Sequence, residues 1–468
     1  MEEISQEMKR VFQLQQENSL QVGVTSYQMR INKLKRLLEG ILRNRDSIKQ
    51  AIYSDFKKSP EEVDLTEIYP LVSEIRYIIK NLKSWMKPVR VPNSIATLGA
   101  HCRITYQPKG VCLIISPWNY PFQLTIGPLI NAIAAGNCVF IKPSEYSPNT
   151  SKLIKNLLQD VFERQEVAVF EGDQYVAQQL LQLPFNHIYF TGSPVVGKIT
   201  MAEAAKHLSP VTLELGGKSP VIIDDQADFN DAAEKIIWGK LINAGQTCIA
   251  PDYVLLPRNR LQEFISKARD SIIRRYGTLE TIPENKDYCR IINLRHFLRI
   301  KHIIEEALIQ GGKLDFGGIM REEDLYLSPT LIHDPSLSSA MMQEELFGPV
   351  LPVLTYEKLS EALEIIRTRP RPLVLYIFSS NEEVIRGILA NTHSGDVVVN
   401  DVVTHYANIK LPFGGINNSG IGKTHGEYGF KEFSHLRSVM RQGRFNMTKM
   451  FYPPYGQRAK KMLEILLK

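Results

Sequence analysis

Cysteine is scarce in this chain of 468 residues, with only Cys102, Cys112, Cys138, Cys248 and Cys289. They form no C-x-x-C pair, and no Cys/His cluster has zinc spacing, which excludes a disulfide scaffold and gives no reason to expect a metal. The pattern suits a reducing, cytoplasmic compartment. An excess of one charge is also missing: 56 basic and 50 acidic side chains leave +6, spread along the chain. Without a dense Lys/Arg block, no nucleic-acid partner is expected. The start, MEEISQEMKR, lacks the basic head and apolar centre of a signal peptide. Ordinary proportions of charged (23%) and hydrophobic (44%) residues exclude wholesale disorder, collagen and coiled coil.

One stretch, Gly110 to Ile141, has no charged residue at all and looks like a membrane span. Pro117, Pro121 and Pro128 would break a spanning helix, and Asn119, Gln123, Asn131 and Asn137 are polar. The better reading is a buried strand at Val111–Ile115, a loop, a buried helix to about Ala135 and a second strand at Cys138–Ile141. The tail Met462–Lys468 is too short to span a bilayer. With Arg458, Lys460 and Lys461 it could touch an anionic membrane surface, but an exposed or self-docked tail is the favoured reading.

Residues 1 to about 85 read as helices. Further strands are expected at Val167–Phe170, His187–Phe190 and Val221–Asp224, then at Asp252–Leu256, Leu351–Thr355, Leu373–Phe378 and Asp396–Asn400. Helices are expected at Phe229–Leu241, Arg260–Arg275 and Leu294–Gln310. This is the rhythm of two α/β units with a boundary near 214–224.

Four segments carry possible chemistry. In His187-Ile-Tyr-Phe-Thr-Gly-Ser193-Pro-Val-Val-Gly197 a strand enters a glycine turn and a helix start, which suits phosphate. Its G-x-x-x-x-G spacing is not the dinucleotide fingerprint, and a tight strand–helix turn explains it equally well. Gly217-Lys218-Ser219 mimics the end of a P-loop, but Thr212 stands where that motif needs glycine, so ATP is not expected. Glu214 just before it lies in an apolar run, where an acid needs a partner or a task. Cys248, in Asn243-Ala-Gly-Gln-Thr-Cys248, follows a glycine turn that can present sulfur to a cleft, although a buried small hydrophobe is the commoner case. Asn119, in Pro117-Trp-Asn-Tyr-Pro-Phe122, either offers an amide to an oxyanion or caps the next helix. Glu344-Glu-Leu-Phe-Gly-Pro349 is uninformative alone.

Together and in this order these segments resemble the aldehyde dehydrogenase superfamily. The matching strings are LELGGKSP around Glu214, GQTC at 245–248, Ile141-Lys-Pro-Ser-Glu145, Phe190-Thr-Gly-Ser193, Glu344-Glu-Leu-Phe-Gly-Pro349 and Leu411-Pro-Phe-Gly-Gly415. The likeness runs from about 20 to 440 and is nearest to the class 3 branch, which acts on medium and long aliphatic or aromatic aldehydes. PWNYPF, TCIAPDYVL and HGEYGFKEFSH carry that cue.

The resemblance implies an α/β fold with a Rossmann-like cofactor domain (1–80 and 107–213), a catalytic domain (214–399), bridging and dimerisation segments (81–106 and 400–440) and a C-terminal tail (441–468). It implies NAD(P)-dependent oxidation of an aldehyde to an acid in a cytoplasmic homodimer. Cys248 would be the nucleophile, Asn119 the oxyanion donor and Glu214 the base for thioester hydrolysis. Lys142 and Glu145 would hold the adenine-side ribose, favouring NAD while leaving NADP possible. Gly192, Ser193 and Gly197 would take the pyrophosphate, Glu345 the nicotinamide ribose, and Phe347 would stand beside it. Tyr120, Trp238, Thr404 and Phe413 would line the substrate tunnel. Class 3 members from animals often carry a hydrophobic anchor for which this tail is too short, and Ala407–Lys410 matches no pattern. A CoA-acylating or reductive relative is the first alternative, disfavoured by Glu214. A non-catalytic protein of the same fold is the second.

Overall fold

A computed structural model describes residues 2–444, 446, 449 and 451–467, so Lys468 of the tail lies outside the described residues. The chain opens with helices at Glu2–Gly23, Tyr27–Arg43, Arg45–Phe56 and Pro60–Val63, a π-turn at Asp64–Ile68 and a helix at Tyr69–Trp85.

Two sheets follow. The first has six strands in the order 420–421, 211–215, 187–192, 111–115, 138–142 and 167–169, parallel except for the first. Val111–Ile115 and Cys138–Lys142 are buried along their whole length. A parallel strand covered by helices on both faces has no wet side, so it reads as an unbroken apolar run. The second sheet has seven strands in the order 313–316, 330–333, 350–356, 253–257, 220–223, 374–378 and 396–399, with only the first antiparallel. The chain passes between the sheets at 216–219. A third, antiparallel sheet joins Val89–Val91, Ala100–Pro108 and Ser434–Gln442.

The uncharged stretch forms strand, loop, helix and strand. Its helix, Gln123–Ala135, is buried at every position except Leu124. Among the described residues no helix is long and apolar enough to cross a membrane. The ends of this buried helix are satisfied by charge of the right sign. Glu67 Oε2 accepts from the N–H groups of Phe122 (2.9 Å) and Gln123 (3.1 Å). At the other end Arg30 donates to the carbonyls of Ala134 (3.0 Å) and Ala135 (2.6 Å). A carboxylate at the N-terminus and a cation at the C-terminus both complement the helix dipole. Glu67, not Asn119, therefore caps this helix, and Asn119 is left for another role.

Candidate active site

The first sheet delivers Glu214 on strand Val211–Leu215, and Gly216 and Gly217 lead away from it. A Cβ on Gly216 would stand 2.1 Å from Glu345 Oε2, so only glycine lets this carboxylate rest on the backbone. The Gly217 N–H donates to Glu345 Oε1 at 3.1 Å.

Helix Phe229–Leu241 ends in a turn where Asn243 (φ 55°), Ala244 (φ 47°) and Gly245 (φ 75°) are all left-handed. Two non-glycine residues there cost roughly 1–3 kcal/mol each and need outside support. Asn243 supplies it. Its N–H donates to Glu62 Oε1 (2.7 Å), and its Nδ2 donates to the carbonyls of Asn119 (2.8 Å) and Gln246 (2.9 Å). Gln246 Oε1 accepts from the Ile292 N–H at 3.0 Å. The tight turn Thr247–Ala250 that follows holds Cys248.

Three cavities meet at Cys248. An outer tunnel of about 230 Å³, a small inner pocket of about 40 Å³ and a cleft of about 260 Å³ all have Cys248 and Leu124 in their walls. Leu124 is the one residue of its helix that is not buried, because it faces this junction. Glu214 lines the inner pocket and the cleft. It is 6% exposed, and neither carboxylate oxygen has a hydrogen-bond partner. Burial, reinforced by the carboxylates of Asp396 and Glu432, holds its carboxyl well above the usual range, and Lys423 only partly opposes this. Such a group binds a proton readily and makes no hydrogen bond that would serve the fold. Burial pushes the Cys248 thiol up to about 12, helped by Glu345 and Glu214, while its own N–H and that of Ile249 work in the opposite direction. Asn119 lines the cleft, and its Nδ2 donates to the Gln246 carbonyl at 3.0 Å. An amide nitrogen carries two hydrogens, so the second remains for a ligand.

Of the expected cofactor positions, Gly192, Ser193, Glu345 and Phe347 line the cleft. Ser193 caps helix Pro194–Ala205 through the Val196 N–H. Gly197 lies outside the cleft wall, one turn into this helix. A Cβ there would stand 2.7 Å from Leu215, so its small size lets the helix lie against the Glu214 strand. Phe347 meets Trp118 edge-on at 5.3 Å. Burial raises Glu345 to about 8. Lys142 and Glu145 do not line the cleft. They pair at 2.5 Å at the end of the neighbouring strand, and the adjacent Tyr146 reaches the cleft residue His296 at 6.5 Å. Two cleft residues were not anticipated, His296 and Arg299. They lie on helix Leu294–Ile309, whose sequence carries no motif. Arg299 donates to the Glu345 carbonyl at 3.1 Å and so helps place that residue.

Of the expected substrate residues, Tyr120, Trp238 and Thr404 line the outer tunnel, and Phe413 lines the inner pocket. Tyr120 shares a hydrogen bond with Thr247, the residue before Cys248, at 2.7 Å. The unplaced stretch supplies Ala407 and Ile409 to the tunnel wall. Gln123, Tyr406 and His425 line both tunnel and pocket. His425 lies in the HGEYGF string, the only local signal for any of the three. Among the described residues no group of three or more His, Cys, Asp or Glu is placed to hold a metal ion.

A profile of the aldehyde dehydrogenase family matches residues 4–439. The chain belongs to the aldehyde dehydrogenase family. It is 42% identical to the putative aldehyde dehydrogenase AldX of Bacillus subtilis, over 94% of this chain and 99% of that one. It is 42% identical to aldehyde dehydrogenase family 3 member A2 of Pongo abelii, over 92% and 87% respectively. A solved structure of Staphylococcus aureus AldH in a substrate-bound state superposes with a TM-score of 0.94 at 39% identity, covering 98% of this chain and 99% of that one. These matches make the protein an oxidoreductase of the aldehyde group with an NAD(P)-type cofactor.

Proposed function

We propose that this aldehyde dehydrogenase oxidises medium- or long-chain aliphatic or aromatic aldehydes to carboxylic acids, with Cys248 as nucleophile and Glu214 as hydrolytic base. The observation that carries it is the buried Glu214 carboxylate, both oxygens unpaired, in the wall of the pocket that Cys248 also lines.

The aldehyde enters by the outer tunnel, whose wall includes Leu65, Tyr69, Trp238, Ile242, Val403 and Ile409. This wall favours an apolar substrate. As thiolate, Cys248 attacks the carbonyl carbon. The free Asn119 amide hydrogen and the Cys248 N–H donate to the developing oxyanion. NAD, when bound, supplies the hydride acceptor. Gly192, Ser193 and the start of helix 194–205 would hold its pyrophosphate, and the Glu345 carboxylate a ribose. The fit rests on the glycine turn, where a Cβ on Gly192 would stand 2.6 Å from the Phe190 ring, and on the N-terminal N–H groups of the helix that follows. Lys142 and Glu145 are the adenine-side candidates, and a carboxylate there favours NAD over NADP. As the adduct's C=O bond re-forms, the C–H bond breaks and the hydride leaves the carbon, and the thioester so formed is hydrolysed by water. Glu214 takes the water proton, the C–O bond forms, the C–S bond breaks and the Cys248 thiolate is released. A CoA-dependent relative has no use for an unpaired buried base, and a non-catalytic protein has no use for this junction of cavities.

Residues 1–80 and 107–213, which carry most of the first sheet, would form the cofactor domain, 214–399 the catalytic domain, 81–106 and 400–440 the bridge, and 441–468 the tail. Among the described residues, the sheet-edge strand Asp396–Val399, with Val397 and Val399 exposed, and the edge strand that begins at Ser434, with Leu436 and Met440 exposed, support a homodimer. All five cysteines are unpaired, in keeping with a cytoplasmic enzyme.

The test is kcat/KM for hexanal, decanal, hexadecanal and benzaldehyde with NAD and with NADP. Decanal turnover abolished by Cys248→Ala is the expected result, and turnover that survives this substitution overturns the reading.

A further inference from the structure

Glu214 works in a buried field, and the groups that make that field can be named. Tyr189 faces it from strand 187–192, Glu432 from helix 426–432, Asp396 from strand 396–399, Tyr406 from the turn 404–407, and Cys248 from its turn. Glu74 and His425 stand across the inner pocket, and burial takes His425 down to about 3, so it is neutral. Among the described residues Lys423 is the only cation acting on Glu214.

Lys423 lies beside Glu214 and close to Asp396, and its ammonium is held by backbone carbonyls rather than by either carboxylate. A Cβ on Gly414 would stand 3.1 Å from Glu214 Oε1 and 3.2 Å from Lys423 Cδ, so both side chains flank the same backbone position. The Lys423 ammonium donates to the Gly414 carbonyl, and to the Gly395 carbonyl at 3.4 Å. Asp396 follows Gly395 in the chain, and the Gly414 N–H faces its carboxylate. Asp396 Oδ2 is buried and has no hydrogen-bond partner. His405 Nε2 lies 3.8 Å away, too far for a hydrogen bond, and burial lowers that imidazole to about 4, so it brings no charge near neutral pH despite Asp401 beside it. Burial raises Asp396 to about 6, with Lys423 opposing.

We propose that Lys423 is the counter-ion that draws the Glu214 carboxyl towards its ionised form for thioester hydrolysis, and that Asp396 divides the charge of Lys423 between two acids. Both are positioning residues, since neither touches the reacting atoms. The assignment rests on Glu214 being the hydrolytic base. The two substitutions act with opposite signs. Removing the ammonium raises the proton affinity of Glu214. Removing the Asp396 charge takes away a like charge and leaves Lys423 wholly to Glu214, which lowers it. A loss of packing would not produce opposite shifts.

The experiment follows acyl-enzyme hydrolysis directly. Protein, NAD and hexanal are mixed, quenched in acid at intervals, and the acylated fraction is read by intact mass across a pH series. In Lys423→Met the midpoint of the rate–pH curve moves up by roughly one unit. In Lys423→Arg it returns towards wild type, and in Asp396→Asn it moves down. The initial burst of reduced cofactor keeps its amplitude in all three. Unmoved midpoints, or midpoints moving the same way in Lys423→Met and Asp396→Asn, overturn the assignment. Glu214→Gln separates the two layers. If its acyl-enzyme persists while the other midpoints stay put, only the counter-ion assignment fails. If it hydrolyses at the wild-type rate, the base assignment fails and this one falls with it.

Discussion

Lys58→Met tests how the N-terminal helices support the catalytic turn. Lys58 and Glu67 form a fully buried ion pair at 3.0 Å. The second oxygen of Glu67 caps helix 123–135, and the Lys58 ammonium sits 3.8 Å from the centre of the Tyr120 ring. Tyr120 in turn holds Thr247 beside Cys248. Removing one partner of a buried pair leaves the other charge uncompensated, which costs about 3–5 kcal/mol. The two backbone N–H groups still serve Glu67, so the expected loss lies at the lower end, about 3 kcal/mol. Glu67→Gln is expected to cost a similar amount, because it strands the ammonium. The double variant Lys58→Met/Glu67→Gln removes both members of the pair, and its loss should fall short of the sum by about 2 kcal/mol. Equilibrium urea denaturation of the four proteins measures the cycle, and hydrogen exchange at the Phe122 and Gln123 amides locates the effect. Single losses below about 1 kcal/mol that simply add in the double variant would refute the reasoning.

Two further outcomes follow from the site itself. Alkylation of Cys248 by iodoacetamide in the cofactor-free enzyme should rise about tenfold per pH unit from pH 6 to 10 without a plateau, because burial raises the thiol to about 12 and the thiolate fraction keeps growing below that value; a plateau near pH 8 would contradict it. Gly216→Ala places a methyl 2.1 Å from Glu345 Oε2, so the carboxylate must move. A displacement of this size should lower kcat/KM for NAD by roughly 100-fold with thermal stability nearly unchanged, and a wild-type KM for NAD would show that Glu345 takes no part in binding it.

Much of the fold is legible in the residues because the chemistry is local. An uncharged run interrupted by three prolines reads as strand, loop and helix rather than one long helix, and Val111–Ile115 and Cys138–Ile141 announce buried parallel strands by lacking a polar alternate. Helix Phe229–Leu241 shows its ends in Asp228 and in the turn after Leu241. Glu214 is conspicuous for a physical reason, a lone acid in an apolar run. The rest depends on contacts between distant segments. Glu62 reaches Asn243 across 181 positions, and Glu67 reaches Gln123 across 56. His296 and Arg299 stand on an ordinary amphipathic helix, so only its docking reveals them. The tunnel mouth at 400–410 has no period at all, since its backbone is set by strained positions such as Val403 at φ 63°.

The central claim is that one acyl group forms on Cys248 and leaves by water that Glu214 activates. Rapid mixing of Glu214→Gln with NAD and hexanal tests it most directly. The account predicts a burst of reduced cofactor close to one equivalent per active site, followed by a stall with the acylated Cys248 peptide accumulating. Steady turnover at the wild-type rate, or the absence of any burst, would contradict it.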